Sequence, residues 1–422
     1  MKALRKILDN IKPHVEKGGK FHYLHSTFDA AETLFFVPNT VTKTGTHIRD
    51  SIDLKRTMFL VVIAIIPALL FGMWNIGYQH FLAIGEQSTL MNNFIFGLIE
   101  MLPLIIVSYV VGLGLEVLFA QLRGHEVNEG YFVSGMLIPL IVPIDTPLWM
   151  VAVAVAFAVI IGKEVFGGTG MNIWNPALLA RAFLFFAYPS SMSGDKIWTS
   201  GLTEGLNTVD GFTGATPLAQ MAANGQEGTK LAAELTKVNT SATDIITQVS
   251  DKFGYMTDAI GAKMSHLEMF IGTYSGSIGE TSTLAILLGA AILLFTGVAS
   301  WRVMFSVFAG GYFMGFLFNI LGPETNVYMQ MDPLNHLLLG GFAFGAVFMA
   351  TDPVSASQTK NGKLIYGFLI GIIAVLIRVV NPAYPEGMML SILFLNTFAP
   401  LIDHYIVQSN IKKRLKRVKI TA

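Results

Sequence analysis

The chain has 422 residues, of which 53% are hydrophobic and only 13% charged, where soluble domains run nearer a quarter charged. A mean hydropathy of +0.57, together with apolar stretches near the bilayer-spanning length of ~20 residues, excludes an ordinary cytosolic enzyme. Lys plus Arg equals Asp plus Glu at 28 each, so net charge points to no nucleic acid or other polyanion, and zero cysteines exclude disulfides, thiolate metal sites and c-type haem attachment within this chain.

Residues 1–56 carry ten Lys/Arg and no apolar core of signal-peptide type, and read as a cytoplasmic extension. Met1 to Lys17 sets Leu4, Ile7, Leu8 and Ile11 on one helical stripe. That stripe lies either on a membrane surface or a partner, or against the chain's own domain. Ten apolar segments follow, at roughly 57–76, 94–120, 131–143, 148–162, 175–189, 283–300, 303–321, 335–350, 364–380 and 387–406. The third and fifth are Pro-bounded and shorter than the ~17 residues a spanning helix needs, which predicts half-helices or re-entrant pieces buried in protein or lining a cavity.

Charge placement orients the chain. With the N-terminus inside, the inner loops hold Arg123, Lys163, Arg302, Lys360 and Lys363, the tail holds six more cations from Lys412 to Lys419, and the outer loops 77–93, 144–147, 322–334 and 381–386 hold none. The expected architecture is therefore an all-α integral membrane protein of about ten transmembrane helices, in two inverted repeats of five (57–189 and 283–406). An outer, periplasmic insert at 190–282 separates them, and a basic cytoplasmic tail at 407–422 follows. Internal echoes support the repeat: segments four and eight both open on Asp-x-Pro-Leu-like cues (Asp145, Pro147, Leu148; Asp332, Pro333, Leu334) and end near a carboxylate (Glu164; Asp352), and Asn-Pro-Ala occurs at 175–177 and 381–383.

The insert contains Asp210-Gly211-Phe212-Thr213-Gly214-Ala215-Thr216. Its glycines let the backbone approach a bulky group, its carboxylate can hold a metal or polarise a hydroxyl, and its last threonine can attack a phosphoanhydride. D-G-x-[ST]-G-A-T resembles the motif on which flavin transferases act, using magnesium and a dinucleotide flavin donor. The flanks GKEVFGGTGMNIWNPALLARAFLFFAYP (162–189), MATDPVSAS (349–357) and NPAYPEGMMLSILFLNTFAPLIDHY (381–405) extend the likeness over essentially the whole chain. Together they resemble the B subunits of sodium-translocating NADH:quinone oxidoreductases and, next to them, the D subunits of Rnf electron-transport complexes. The long N-terminal extension favours the former.

The resemblance implies FMN esterified through its phosphate to Thr216, with Asp210, Thr213, Gly214 and Ala215 recognised by the transferase. It also implies a non-covalent riboflavin and reduction of quinone (ubiquinone) coupled to sodium movement. The chain would work in a six-subunit complex of the bacterial inner membrane, beside A, C, D, E and F subunits. The flavinylated C subunit is the expected electron donor. The riboflavin is expected at Asn172 and Asn175, one helical turn apart, so that both amides can face one ligand. Pro176 would leave free N–H groups at a helix start to favour a reduced ring, although Asn-Pro alone is also an ordinary helix-start cue. Quinone is expected near Gly112 and Glu116, where glycine admits a flat ring and a carboxylate relays protons; small residues for helix packing are the other reading.

Ionisable residues in apolar segments are Glu100, Glu116, Glu164, Arg181, Asp352, Arg378 and Asp403, each costing ~2.5–3.5 kcal/mol at a helix centre. Glu116, Asp352 and Asp403 are the candidate sodium ligands, the other reading being that Glu164 or Asp352 neutralises Arg181 or bonds loop amides. His125, His336 and His404 show no metal-ligand spacing and read as interfacial hydrogen-bonders. No NADH fingerprint is present, so hydride acceptance belongs to another subunit. A non-redox channel of urea-channel-like fold is the reading from another class.

Overall fold

The computed structural model describes residues 2–15 and 54–420 except 124–129, 195–197, 203–208, 210, 211, 213, 238–239, 259–262 and 382–386. Between 16 and 53 it describes only 28, 32, 36, 42 and 44–46. Asp210, Thr213 and His125 thus lie outside the described residues. Among the described residues the regular secondary structure is helical apart from an isolated bridge between Thr257 and Lys263.

A first helix, α1 (Lys2–Val15), is tied down by ion pairs from Arg5 and Lys12 to Glu32, while Ile11 stays 43% exposed. The membrane body begins with α2 (Leu54–Ile84), α3 (Leu90–Arg123), α4 (Tyr131–Ile141), α5 (Leu148–Ile160) and α6 (Pro176–Ala187). At 1.5 Å per residue α2 and α3 exceed a ~30 Å hydrocarbon core, whereas α4 and α6 reach only about 16–18 Å. The insert supplies α7 (Pro217–Lys237), α8 (Ala242–Phe253) and α9 (His266–Ile271). The second half has α10 (Thr283–Phe295), α11 (Trp301–Leu321), α12 (Pro333–Leu338), α13 (Phe342–Phe344, continuing as a π-turn over Gly345–Met349), α14 (Lys360–Val380) and α15 (Met388–Ile420). Among the described residues six helices are long and apolar enough to cross a membrane.

Local chemistry sets these boundaries. Asn175 caps α6 through Ala177 N–H and Leu178 N–H with Pro176 behind it, Asp332 and Pro333 start α12 in the same way, and Thr359 caps α14 through Gly362 N–H. The buried stripe of α3 is mostly small or polar (Asn93, Gly97, Ser108, Gly112, Glu116, Ala120) with Met101 and Leu104 at its middle, while Ile95, Ile99, Leu102, Ile106 and Val110 face outward. Large apolar side chains on the outer surface are what a lipid or subunit neighbour requires.

Part of one packing scheme recurs in the two halves, although the extensive contact of α2 with α3 has no comparable counterpart between α10 and α11. Contacts α3–α4, α3–α5, α5–α6, α4–α6 and α2–α4 recur as α11 with α12, α11–α14, α14–α15, α13–α15 and α10–α13, and the halves meet where α2 packs on α10 and α6 on α15. This corrects the correspondence expected from the sequence. The fourth segment matches the ninth and the third matches the eighth, so the shared Asp-x-Pro cue of segments four and eight is not a repeat marker. Asn175 caps the start of α6, whereas Asn381 caps the end of α14, so the two do not stand at equivalent places.

The eighth segment is broken at Leu339–Gly341, with Gly340 at φ +63°. Its first half and α4 both end against one extended strap. Gly279 N–H and the Ser277 hydroxyl donate to the Leu140 and Ile141 carbonyls, and the hydroxyls of Tyr274 and Thr283 donate to Leu338 O. Irregular backbone at this depth is stable because those carbonyls are satisfied within the protein. Within 274–282, expected in the outer insert, Ile278 packs in the core of the membrane body and Tyr274 in that of the insert. The insert has its own core, in which Leu218, Met221, Val249 and Met269 pack with Tyr328 and Leu339.

Candidate functional site

Thr216 closes the motif as the residue before α7. Its hydroxyl donates to Gly194 O (3.3 Å) and accepts from Ala219 N–H (3.4 Å), so it caps the helix, with Pro217 in the first turn. Gly214 sits at φ +61°, a left-handed conformation that explains a glycine there, and Ala215 O accepts from the Gln220 amide. Thr216 also stands on the rim of a small cavity running to Tyr274, Glu280, Thr281 and Gly340 at the helix break. That cavity holds ≈ 20 Å³, room for about one water.

Glu280 holds Arg181 of α6 at 2.8 Å, both more than nine-tenths buried. This corrects the expectation that Glu164 or Asp352 would neutralise Arg181: Glu164 instead binds Arg123, through its carboxylate at 2.9 Å and its carbonyl at 2.7 Å. Arg378, fully buried, donates to His336 O (2.6 Å) and Leu339 O (3.2 Å), placing its charge on the C-terminal carbonyls of α12. His336 is not interfacial as expected but completely buried, with neither ring nitrogen hydrogen-bonded.

A second cavity, of ≈ 90 Å³, opens at the end of the body away from the insert. Thr57, at the start of α2, lines it, whereas Ala83, near the other end of that helix, bonds Val209 beside the motif. Asn172 and Asn175 both reach this cavity, as do Asp352, Thr169 and Lys163, over an apolar floor of Val133, Leu137 and Phe348. The structure thus brings the two amides to one place. It also shows them engaged: Asn172 donates to Trp174 O, and Asn175 donates to Asp352 across 3.4 Å. The N–H groups of Ala177 and Leu178, expected to be free for a ligand, are taken by the Asn175 carbonyl oxygen. Burial raises the Asp352 carboxyl above its ordinary range, against hydrogen bonds from Val354, Ser355 and Asn175.

Glu116 lies on the buried stripe of α3 and forms an ion pair with Lys163. Gly112, one turn earlier, does admit a flat ring, but the ring is the chain's own Tyr131, whose hydroxyl is hydrogen-bonded to Ser108. Asp403 accepts from the Ser357 hydroxyl, Gln358 N–H and both the N–H and hydroxyl of Thr359, so it fastens the start of α14. Among the described residues no three acidic or histidine side chains gather as a metal-holding group, so the three candidate sodium ligands do not converge.

Sequence reasoning missed Glu280 and saw Lys163 only as a loop charge. The signal for Glu280 was Arg181 itself, since an arginine inside an apolar helix demands a nearby anion.

A polytopic helical body with interrupted helices at its centre and polar cavities toward both ends defines a membrane transport or electron-transfer protein. Residues 41–412 match the NQR2, RnfD, RnfE family, and the chain belongs to that family. It is 46% identical to the B subunit of the Na(+)-translocating NADH-quinone reductase of Chromohalobacter salexigens, covering 98% of this chain and 97% of that one. It is 47% identical to the protein of the same name in Stutzerimonas stutzeri and 45% to that in Pseudomonas aeruginosa, each over 98% of this chain and 99% of theirs.

Proposed function

We propose that the chain is the flavin-carrying membrane subunit of a sodium-translocating NADH:quinone reductase. In this reading electrons pass from FMN on Thr216, through riboflavin in the cavity of Asn172 and Asn175, to quinone near Glu116. Full-length likeness to B subunits of that enzyme supports the complex and favours it over an Rnf assembly or a passive channel. The insert side is taken as periplasmic, the other side as cytoplasmic and the membrane as the bacterial inner membrane, from the positive-inside distribution. Donation from the flavinylated C subunit, maturation by a flavin transferase, and partnership with the A, D, E and F subunits belong to the same reading.

The observation that carries it is the placement of Thr216. Its hydroxyl caps a 21-residue helix, and a helix N-terminus favours the negative charge of an attached phosphate. The donor set fits a phosphoester there. The cavity beneath, with room for about one water, does not hold a flavin ring. At the far side, two amides, threonine hydroxyls and an ammonium above apolar side chains fit a flat, partly polar ring. Gly170, at positive φ, brings bare backbone to this wall.

Flavins supply stepwise electron acceptance and donation. The chain's own residues hold the ring, screen it from lipid, and set the Glu116–Lys163 ion pair beside the cavity. Asp352, Glu116 and Asp403 remain the candidate sodium contacts in this reading, at separate places along a path rather than as one cage.

The test is direct. Chain produced with its transferase should retain flavin through denaturation and fluoresce in a denaturing gel, and Thr216→Ala should abolish that band. A colourless wild-type chain from such a host would support the passive channel instead.

A further inference from the structure

Among the described residues that line the far-side cavity, Lys163 is the one cation. Its backbone is fixed in the turn after α5, where its carbonyl accepts from Phe166 N–H and Gly168 N–H. Its side chain is only 5% exposed and is held by one oxygen of Glu116. The other Glu116 oxygen is buried with no hydrogen-bond partner. A purely structural buried pair has both carboxylate oxygens satisfied, because each unsatisfied one carries its full desolvation cost. Asp352, the other charged group on the wall, is different: three hydrogen bonds spread its charge into the surrounding turn. The Lys163–Glu116 pair is therefore the incompletely committed charge beside the cavity.

We propose that Lys163 sets the redox potential of a flavin ring bound in this cavity, and that Glu116 governs how much of its charge the ring feels. This rests on the reading that a non-covalent flavin binds there. Reduction adds negative charge to the ring, and a desolvated ammonium nearby favours the reduced form because Coulomb attraction is weakly screened in the interior. Glu116, on the other side of Lys163, opposes that effect.

The test uses the whole purified complex. Acid-released flavin is first quantified, which separates it from flavin esterified to protein, and spectroelectrochemical titration then follows its midpoint potential. Lys163→Met is expected to lower that potential, Glu116→Gln to raise it, and Lys163→Arg to leave it near the native value. Shifts of opposite sign from the two halves of one pair are a signature that general loosening does not produce. Loss of flavin from Lys163→Met but not from Lys163→Arg would likewise support a required cation. Flavin lost from both, shifts of the same sign, or retained flavin at an unchanged potential overturns the proposal. Acid-released flavin present in full in a complex carrying Asn172→Ala and Asn175→Ala overturns the cavity reading, and the proposal with it.

Discussion

At the scale of single residues, Gly112 and Gly114 divide cleanly. A Cβ on Gly112 would lie 1.9 Å from the Tyr131 ring, whereas one on Gly114 meets nothing within 4 Å. Gly112→Ala should therefore cost about 1–3 kcal/mol by overpacking, read as a lower unfolding temperature in detergent, and Tyr131→Leu should recover part of it. Gly114→Ala should change stability little and serves as the control. The pair also marks what a sequence makes legible. That a glycine at 112 admits a flat ring is readable from its size; that the ring is Tyr131 is not, because the two residues meet only when α4 folds back on α3. Helical spacing puts Asn172 and Asn175 at one site, yet one of them starts a helix, and what joins them is the cavity at the turn.

The broken eighth segment shows the same limit for whole elements. Ten apolar runs are legible from hydropathy, including the shortness of the third and fifth, because length and apolarity are local properties. The interruption at 339–341 is not, since Gly340 and Gly341 sit within an apolar run and the break is held by distant groups: the Arg378 guanidinium, the Tyr274 and Thr283 hydroxyls, and the strap at 274–282. Arg378 is the element's keystone. Arg378→Met would leave buried carbonyls without donors and should destabilise the protein by about 3–5 kcal/mol, the range for breaking a buried charged contact, seen as loss of folded protein from membranes. Arg378→Lys should rescue only part of it, because one ammonium cannot reproduce a fork that reaches His336 O and Leu339 O together.

For the molecule as a whole, zero native cysteines make orientation testable without background labelling. A cysteine placed at exposed Thr243 in the insert should react with a membrane-impermeant maleimide in intact spheroplasts. One placed at exposed Lys413 should react only after permeabilisation. The reverse pattern would overturn the assigned sidedness, and with it the direction of electron passage. The two cavities bear on the electric field across this body. Gly340 lines the one near Thr216 and Phe348 the one near Asn175, and the seven helical residues from Phe342 to Phe348 span at most about 10 Å. If both cavities fill with water from their own sides, the transmembrane voltage falls across that thin septum rather than across ~30 Å of hydrocarbon. A charge stepping between the two sides would then meet nearly all of the ~2.3 kcal/mol per 100 mV in one short move.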